Sequence, residues 1–202
     1  MGIPVMIMGA SGSGKSYSMH DLKDCEVLNV ASKPLPFRNK NKIQIKNHAG
    51  YRDICVELKD AKFKKYVLDD TQYLMAFDSF DKAKETGYGK FTDMAVNFYK
   101  LIRYIVDSTP DDCIVYFLHH TETNEFGKTK PKTLGKMLDN QLTVEGLFTI
   151  VLMADADGSE HFFLTNSDGS NVCKSPVEMF ELRIPNDLAL VDKTIREYYG
   201  FE

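Results

Sequence analysis

No apolar run in this 202-residue sequence approaches the roughly 18 to 20 residues that a helix needs to cross a bilayer, and the first residues lack a signal peptide's basic start. Both absences lead us to expect a soluble cytoplasmic chain with no membrane partner. The four cysteines, Cys25, Cys55, Cys113 and Cys173, stand far apart without a CxxC or a Cys/His pairing. That spacing suggests neither a disulfide framework nor a zinc site, and leaves buried thiols. There is no internal repeat and no low-complexity segment. Acidic residues are missing from two intervals. Between Glu26 and Asp53 there are only cations, Lys33, Arg38, Lys40, Lys42, Lys46 and Arg52; between Phe126 and Leu138 there are Lys128, Lys130, Lys132 and Lys136. The net charge of -4 therefore hides a negative body with two positive segments, a pattern that can serve a polyanion.

What is present fits one α/β domain over residues 1–202, with 43% hydrophobic and 27% charged residues. Val5 to Met8 predicts a strand entering a glycine-rich loop, and Ser16-Tyr17-Ser18-Met19 the first turns of a helix ending near Asp24. Glu26 to Val30 predicts a second strand, after which Pro34 and Pro36 forbid a helix. Tyr51 to Lys59 predicts a short helix with Ile54 and Leu58 inward, and Tyr66-Val67-Leu68 a strand ending at Asp69-Asp70. Met94, Phe98, Leu101, Ile102 and Ile105 recur at helical spacing, with Thr92 as the expected N-cap and Pro110 closing the connection. Cys113 to Leu118 is a continuous apolar run, typical of a strand buried on both faces of a parallel sheet, and it delivers His119-His120-Thr121 to its carboxyl end. Leu147 to Met153 and His161 to Thr165 predict a late antiparallel hairpin turning at Asp155 to Gly158, and Asp187 to Tyr199 a terminal helix stopped by Gly200. The segment from Thr121 to Lys136, polar and rich in Gly, Thr and Pro, is expected to be a mobile loop. Phe77, Phe80, Phe91 and Phe98 are expected in the core or an interface. In mainly parallel sheets ligands bind beyond the carboxyl ends of the strands, where the glycine loop, the paired acids and the paired histidines all fall.

The loop Gly9-Ala10-Ser11-Gly12-Ser13-Gly14-Lys15-Ser16 fits the Walker A pattern GxxxxGK[ST] in full. Glycines let consecutive N–H groups turn inward on a phosphate, so Gly9, Ser11, Gly12, Ser13, Gly14, Lys15, Ser16 and Tyr17 are the expected nucleotide-binding residues. Lys15 would reach the β and γ phosphates, and Ser16 would hold Mg²⁺. Val67-Leu68-Asp69-Asp70 has the form of Walker B, with Asp69 as the magnesium acid and Asp70 as the base that polarises the attacking water. His120, ahead of His119 and Thr121, is the expected sensor of the γ-phosphate. The lysines of the loop beside it, Lys128, Lys130, Lys132 and Lys136, are the expected DNA-phosphate contacts.

Through GASGSGKS, VLNVASKPLPF, YVLDDTQYLM, VYFLHHTE, KTLGKML and IREYYG, the chain resembles phage-encoded P-loop ATPases with a minimal RecA-like core, which belong to recombination and replication modules and are sometimes classed with single-strand annealing proteins. The resemblance implies ATP and Mg²⁺, a RecA-like P-loop NTPase fold, a ring or filament of identical subunits, single-stranded DNA as partner and other phage replication or recombination proteins nearby. RecA recombinases place a catalytic Glu after the second strand. This chain has Ala31-Ser32-Lys33 there, which shifts the expected burden to Asp70 and predicts slow hydrolysis. No N-terminal oligomerisation domain is expected ahead of Met6, so any assembly is expected to use the core. A helicase loader or nucleotide-gated protein switch, with Arg196 to Glu202 as its contact, is the second reading. A small-molecule kinase is third, since its phosphate lid needs several arginines and this chain has only Arg38, Arg52, Arg103, Arg183 and Arg196. No NKxD motif follows to support a GTPase. Lys174 and Arg183, after the late hairpin, read as ordinary surface cations, with a finger onto a neighbouring subunit's nucleotide as the alternative.

Overall fold

Val5 and Ile7 project to one side of the first strand and Met6 and Met8 to the other, and all four are fully buried. Such a strand needs a layer of structure on each face. A computed structural model, describing residues 1–87, 89–135 and 142–201, supplies both layers. The strands are β1 (Ile3–Gly9), β2 (Glu26–Asn29), β3 (Gln44–Asn47), β4 (Lys65–Asp69), β5 (Ile114–Thr123), β6 (Thr129–Pro131), β7 (Ile150–Asp157), β8 (Glu160–Leu164) and β9 (Arg183–Pro185). The helices are α1 (Tyr51–Asp60), α2 (Gln72–Asp81), α3 (Gly89–Ser108) and α4 (Leu188–Tyr199).

The sheet runs β3-β2-β4-β5-β1-β7-β8-β9, with β6 paired to β5 off this path. The pairings from β3 across to β7 are parallel, and β8 and β9 are antiparallel. On one face Ile54 and Leu58 of α1, Leu74 and Met75 of α2, and Phe98, Leu101 and Ile105 of α3 pack on Met6, Leu28, Leu68 and Phe117. On the other, Leu188, Val191 and Ile195 of α4 join Met19 and Leu22 over Val5, Val27, Val67 and Leu118. Among the described residues no helix is long and apolar enough to cross a membrane. Cys25, Cys113 and Cys173 are buried and Cys55 half-buried, all as free thiols.

Several local expectations are corrected. The glycine loop leads into a short 3-10 helix, Tyr17–Asp21, rather than a helix reaching Asp24; Leu22 is already extended, so little helix dipole backs the loop. Thr92 lies within α3, not at its N-cap. A 3-10 turn, Val144–Leu147, delays the late strand to Ile150, and the hairpin turns at Gly158-Ser159 with Asp155 to Asp157 still in β7. The Thr121 to Lys136 segment is not a bare loop over its first half. β5 continues through the histidines and turns back as β6, pairing Thr121 with Pro131, Glu122 with Lys130 and Thr123 with Thr129. Alternating polar side chains let both faces of this two-stranded ribbon meet water while the backbone pairs. Lys136 lies outside the described residues. Phe98 is core, but Phe77 and Phe80 on the outer side of α2 are exposed.

The terminal helix is as expected, with the Asp187 side chain accepting from the Ala189 and Leu190 amides and Gly200 closing it in the left-handed region at φ 71°. Its inner face carries a charged staple. Buried Asp192 accepts from Tyr116 at 2.8 Å, Lys65 at 3.1 Å and Arg196 at 3.0 Å, while Arg196 also donates to the carbonyls of Asp112 and Lys64. Arg196 is thus bound into the fold rather than free for a partner. Removing one member of a buried ionic group leaves the others uncompensated. Arg196→Ala is expected to destabilise the protein by about 2 kcal/mol in urea titration, Lys65 still balancing Asp192.

Candidate functional site

Register brings the site together. β5 lies between β1 and β4, and Gly9, the last residue of β1, pairs with His120. The glycine loop therefore leaves the sheet beside the histidines, and Asp69-Asp70 leave it one strand further on. Gly12 and Gly14 have φ of 82° and 95°, open to glycine at no steric cost. At Gly14 a Cβ would also meet the Asn186 amide at 2.4 Å and the His161 ring at 3.0 Å. These two side chains brace the loop from the β8 and β9 side: His161 Nδ1 lies 3.1 Å from the Ser13 carbonyl, and Asn186 donates to the Gly14 carbonyl at 3.1 Å.

Lys15 folds over the loop, its ammonium donating at 2.7 Å to the carbonyls of both Gly9 and Ala10. Burial pushes its pKa down to about 8, against the pull of Asp70 and Asp69. Ser16 Oγ donates to Asp69 Oδ1 at 2.9 Å, joining loop and acidic strand directly. Asp69 is buried with no cation on it. Desolvation first, then the neighbouring Asp70, push it up to about 6, with the Ser16 hydrogen bond and the nearby Lys33 and Lys15 only partly opposing. Asp70 is equally buried and differently partnered. Its Oδ2 meets Lys33 Nζ at 2.5 Å and its Oδ1 accepts from His120 Nε2 at 3.2 Å. Burial would raise its pKa, but these two hydrogen bonds and their charges outweigh that and lower it. Its backbone sits at φ 64°, uncommon for a residue with a side chain.

The histidines divide their roles. His119 is fully buried, with Nε2 at 2.8 Å from the Lys132 carbonyl and Nδ1 at 2.8 Å from Thr71 Oγ1. The carbonyl requires the proton on Nε2, so Nδ1 accepts from Thr71. This histidine ties Lys132, the residue just after β6, to the residue that follows Asp70. His120 faces the cavity instead, its ring 5.8 Å from that of Tyr73. Thr121 is taken up in ribbon pairing.

A cavity of about 350 Å³ lies between these groups, lined by Ser11, Gly12, Gly14, Lys15, Ser16 and Tyr17 of the loop and by Lys33, Pro36, Asp70, His120 and His161. Every expected loop residue except Gly9 and Ser13 lines it. Gly9 is needed underneath, where a Cβ would lie 2.5 Å from Ser13 Oγ and 2.7 Å from the Ala154 carbonyl. Ser16 and Asp69 offer oxygen donors of the kind magnesium takes. Among the described residues no three His, Cys, Asp or Glu side chains gather into a cage, so such an ion would draw its other oxygens from phosphate and water. Asp69, which has no ion-pair partner among the described residues, suits it.

Three contributors were not singled out by sequence reasoning: Lys33, His161 and Asn186. Only Lys33 had a signal, as the cation standing where a Glu was expected. Outside the cavity, Phe126 at the ribbon's tip is 86% exposed, Lys128 and Lys132 are exposed, and Lys130 pairs with Glu122 at 3.3 Å. Arg183 is taken up by Glu160 at 3.1 Å and by the Phe162 ring at 3.6 Å, inside its own subunit. No protein-family profile matches the chain, and no curated protein is recognisably similar to it.

Burial holds His119 neutral, its pKa pushed down to about 4 from 6.5. The unfolded chain binds this proton first, so the stabilisation is complete above pH 6.5 and is lost as pH falls towards 4. Between pH 7 and pH 5 the loss from this group is about 2 kcal/mol. Urea titrations at both pH values are expected to show His119→Gln, which cannot titrate, with a pH dependence smaller than wild type by that amount.

Proposed function

We propose that the chain is a RecA-like P-loop ATPase that binds Mg-ATP in the cavity beside Lys15 and couples it to single-stranded DNA on the β5–β6 ribbon. The observation carrying this reading is the 2.9 Å hydrogen bond from Ser16 to Asp69, which joins a full Walker A loop to the acid of a separate strand. The strand between them bears His120, where the resemblance puts a nucleotide sensor. A bound magnesium ion would neutralise phosphate oxygens and fix their geometry. Lys15 would leave its two loop carbonyls for the phosphates, Ser16 and Asp69 would turn towards the ion, and Asp70, oriented by His120, would hold the attacking water. Hydrolysis is slow in this reading, because the shorter Asp70 stands in for the Glu that RecA recombinases carry and its carboxylate, held by His120, is a weak base.

The DNA half of the proposal rests on continuity. The backbone of His120 passes into the ribbon without a break, and the His120 carbonyl accepts from the Lys132 amide at 2.8 Å. A shift of the sensor histidine would be carried to exposed Lys128, Lys132 and Phe126, two phosphate partners and a face on which a base can stack. Assembly into a ring or filament, and contacts with other phage replication or recombination proteins, belong to the same proposal. The helicase loader keeps one supporting observation, the exposed Phe77 and Phe80 on the helix that starts just after Asp70-Thr71.

Lys15→Ala is expected to abolish ATP turnover, and surviving turnover would place the active site elsewhere. Replacing Lys128 and Lys132 by Gln should weaken single-stranded DNA binding and lower its log–log salt slope by about 1.4, while nucleotide binding is unchanged. If the wild type binds no DNA with a non-hydrolysable ATP analogue at low salt, the loader reading takes precedence.

A further inference from the structure

Where the resemblance calls for a carboxylate after β2, the chain places the ammonium of Lys33 in the same cavity as Lys15. Its backbone is held from two sides. Ser32 before it is left-handed at φ 55°, and the Lys33 carbonyl accepts from the buried Asn29 amide at 2.8 Å, with Asn29 also bonded to Asn47 at 3.0 Å. The side chain beyond this anchor is about half exposed, and its ammonium lies 2.5 Å from Asp70 and 5.1 Å from the centre of the Tyr73 ring. Lys15 and Lys33 are the two lysines lining the cavity, and they enter it from different sides. Lys15 arrives from the loop beneath, Lys33 from beyond the acidic strand.

This disposition gives the two cations different parts of one polyphosphate. Lys15 belongs to the loop that wraps the inner phosphates, and every nucleotide held by the loop meets it. Lys33 sits against Asp70, where the outermost phosphate would end. An ammonium has three donors and Asp70 takes one, so the others are available to phosphate oxygens. Asp70 keeps the His120 hydrogen bond if Lys33 turns away. On the reading of this cavity as a nucleotide site, we infer that Lys33 distinguishes a nucleoside triphosphate from a diphosphate, trading Asp70 for the terminal phosphate. Binding a triphosphate then releases Asp70 from its closest cation, and a diphosphate leaves the pair as it stands.

The test is equilibrium binding, with no turnover involved. A non-hydrolysable ATP analogue and ADP, each with magnesium, are titrated by calorimetry into wild type, Lys33→Met and Lys33→Arg. Lys33→Met should lose about ten- to a hundredfold in affinity for the analogue, as expected for a hydrogen bond to a charged group, and at most twofold for ADP. Lys33→Arg should recover most of the loss. Lys33→Met leaves Asp70 short of a partner, so the comparison is repeated between Asp70→Asn and Asp70→Asn/Lys33→Met, where the same selective loss is expected. Equal losses for the two nucleotides in that background, or no loss for either, overturn the inference and leave the nucleotide site standing. Wild type that binds neither nucleotide overturns both.

Discussion

At the end of β4, Asp69 and Asp70 are buried side by side, and burial of two adjacent carboxylates fixes what must surround them. Each needs compensation, and the fold gives it unequally. Asp70 has Lys33 and His120 and stays ionised; Asp69 has the Ser16 hydroxyl and no cation, and rises to about 6. An acid without an ion-pair partner among the described residues, bonded to the serine of the glycine loop, is where the proposed function would seat a divalent ion. The strand order makes this contact possible: β5 between β1 and β4 sets the loop and the acids one strand apart and puts His120 beside Gly9 on one side and Asp70 on the other.

The second constraint is the loop's own backbone. A turn that points its amides at an anion points few carbonyls outward, and three of them, at Gly9, Ala10 and Ser13, are engaged by Lys15 or faced by His161. A fourth, at Gly14, is held by Asn186. With only a short 3-10 helix behind it, this loop keeps its shape through side chains from β8 and from the residue just after β9, so the antiparallel edge of the sheet is part of the site rather than an appendage.

Much of this was legible in the residues. Local patterns gave the strands of the parallel core, because an apolar run ending in Gly9, in Asp69-Asp70 or in His119-His120 carries its functional group at a predictable end. Ile54 with Leu58, and Phe98 with Leu101 and Ile105, gave two helices by period alone. Elements whose existence depends on a neighbour were not legible. β3 and β9 are short edge strands recognised by their partners, and β6 exists because β5 continues past the histidines instead of stopping. Thr92 looked like a cap since it precedes an apolar stripe, but the helix begins earlier, at Gly89, through residues with little local signal. Lys33, His161 and Asn186 reach the site through tertiary placement, and no spacing in the chain relates them to the loop.

The proposed function requires magnesium to be held jointly by Ser16, Asp69 and phosphate. Binding of a fluorescent, non-hydrolysable ATP analogue with and without magnesium, in wild type and in Asp69→Asn, tests it most directly. Magnesium should tighten binding to the wild type and leave Asp69→Asn nearly unaffected. Equal tightening in both proteins, or no nucleotide binding by the wild type, would contradict it.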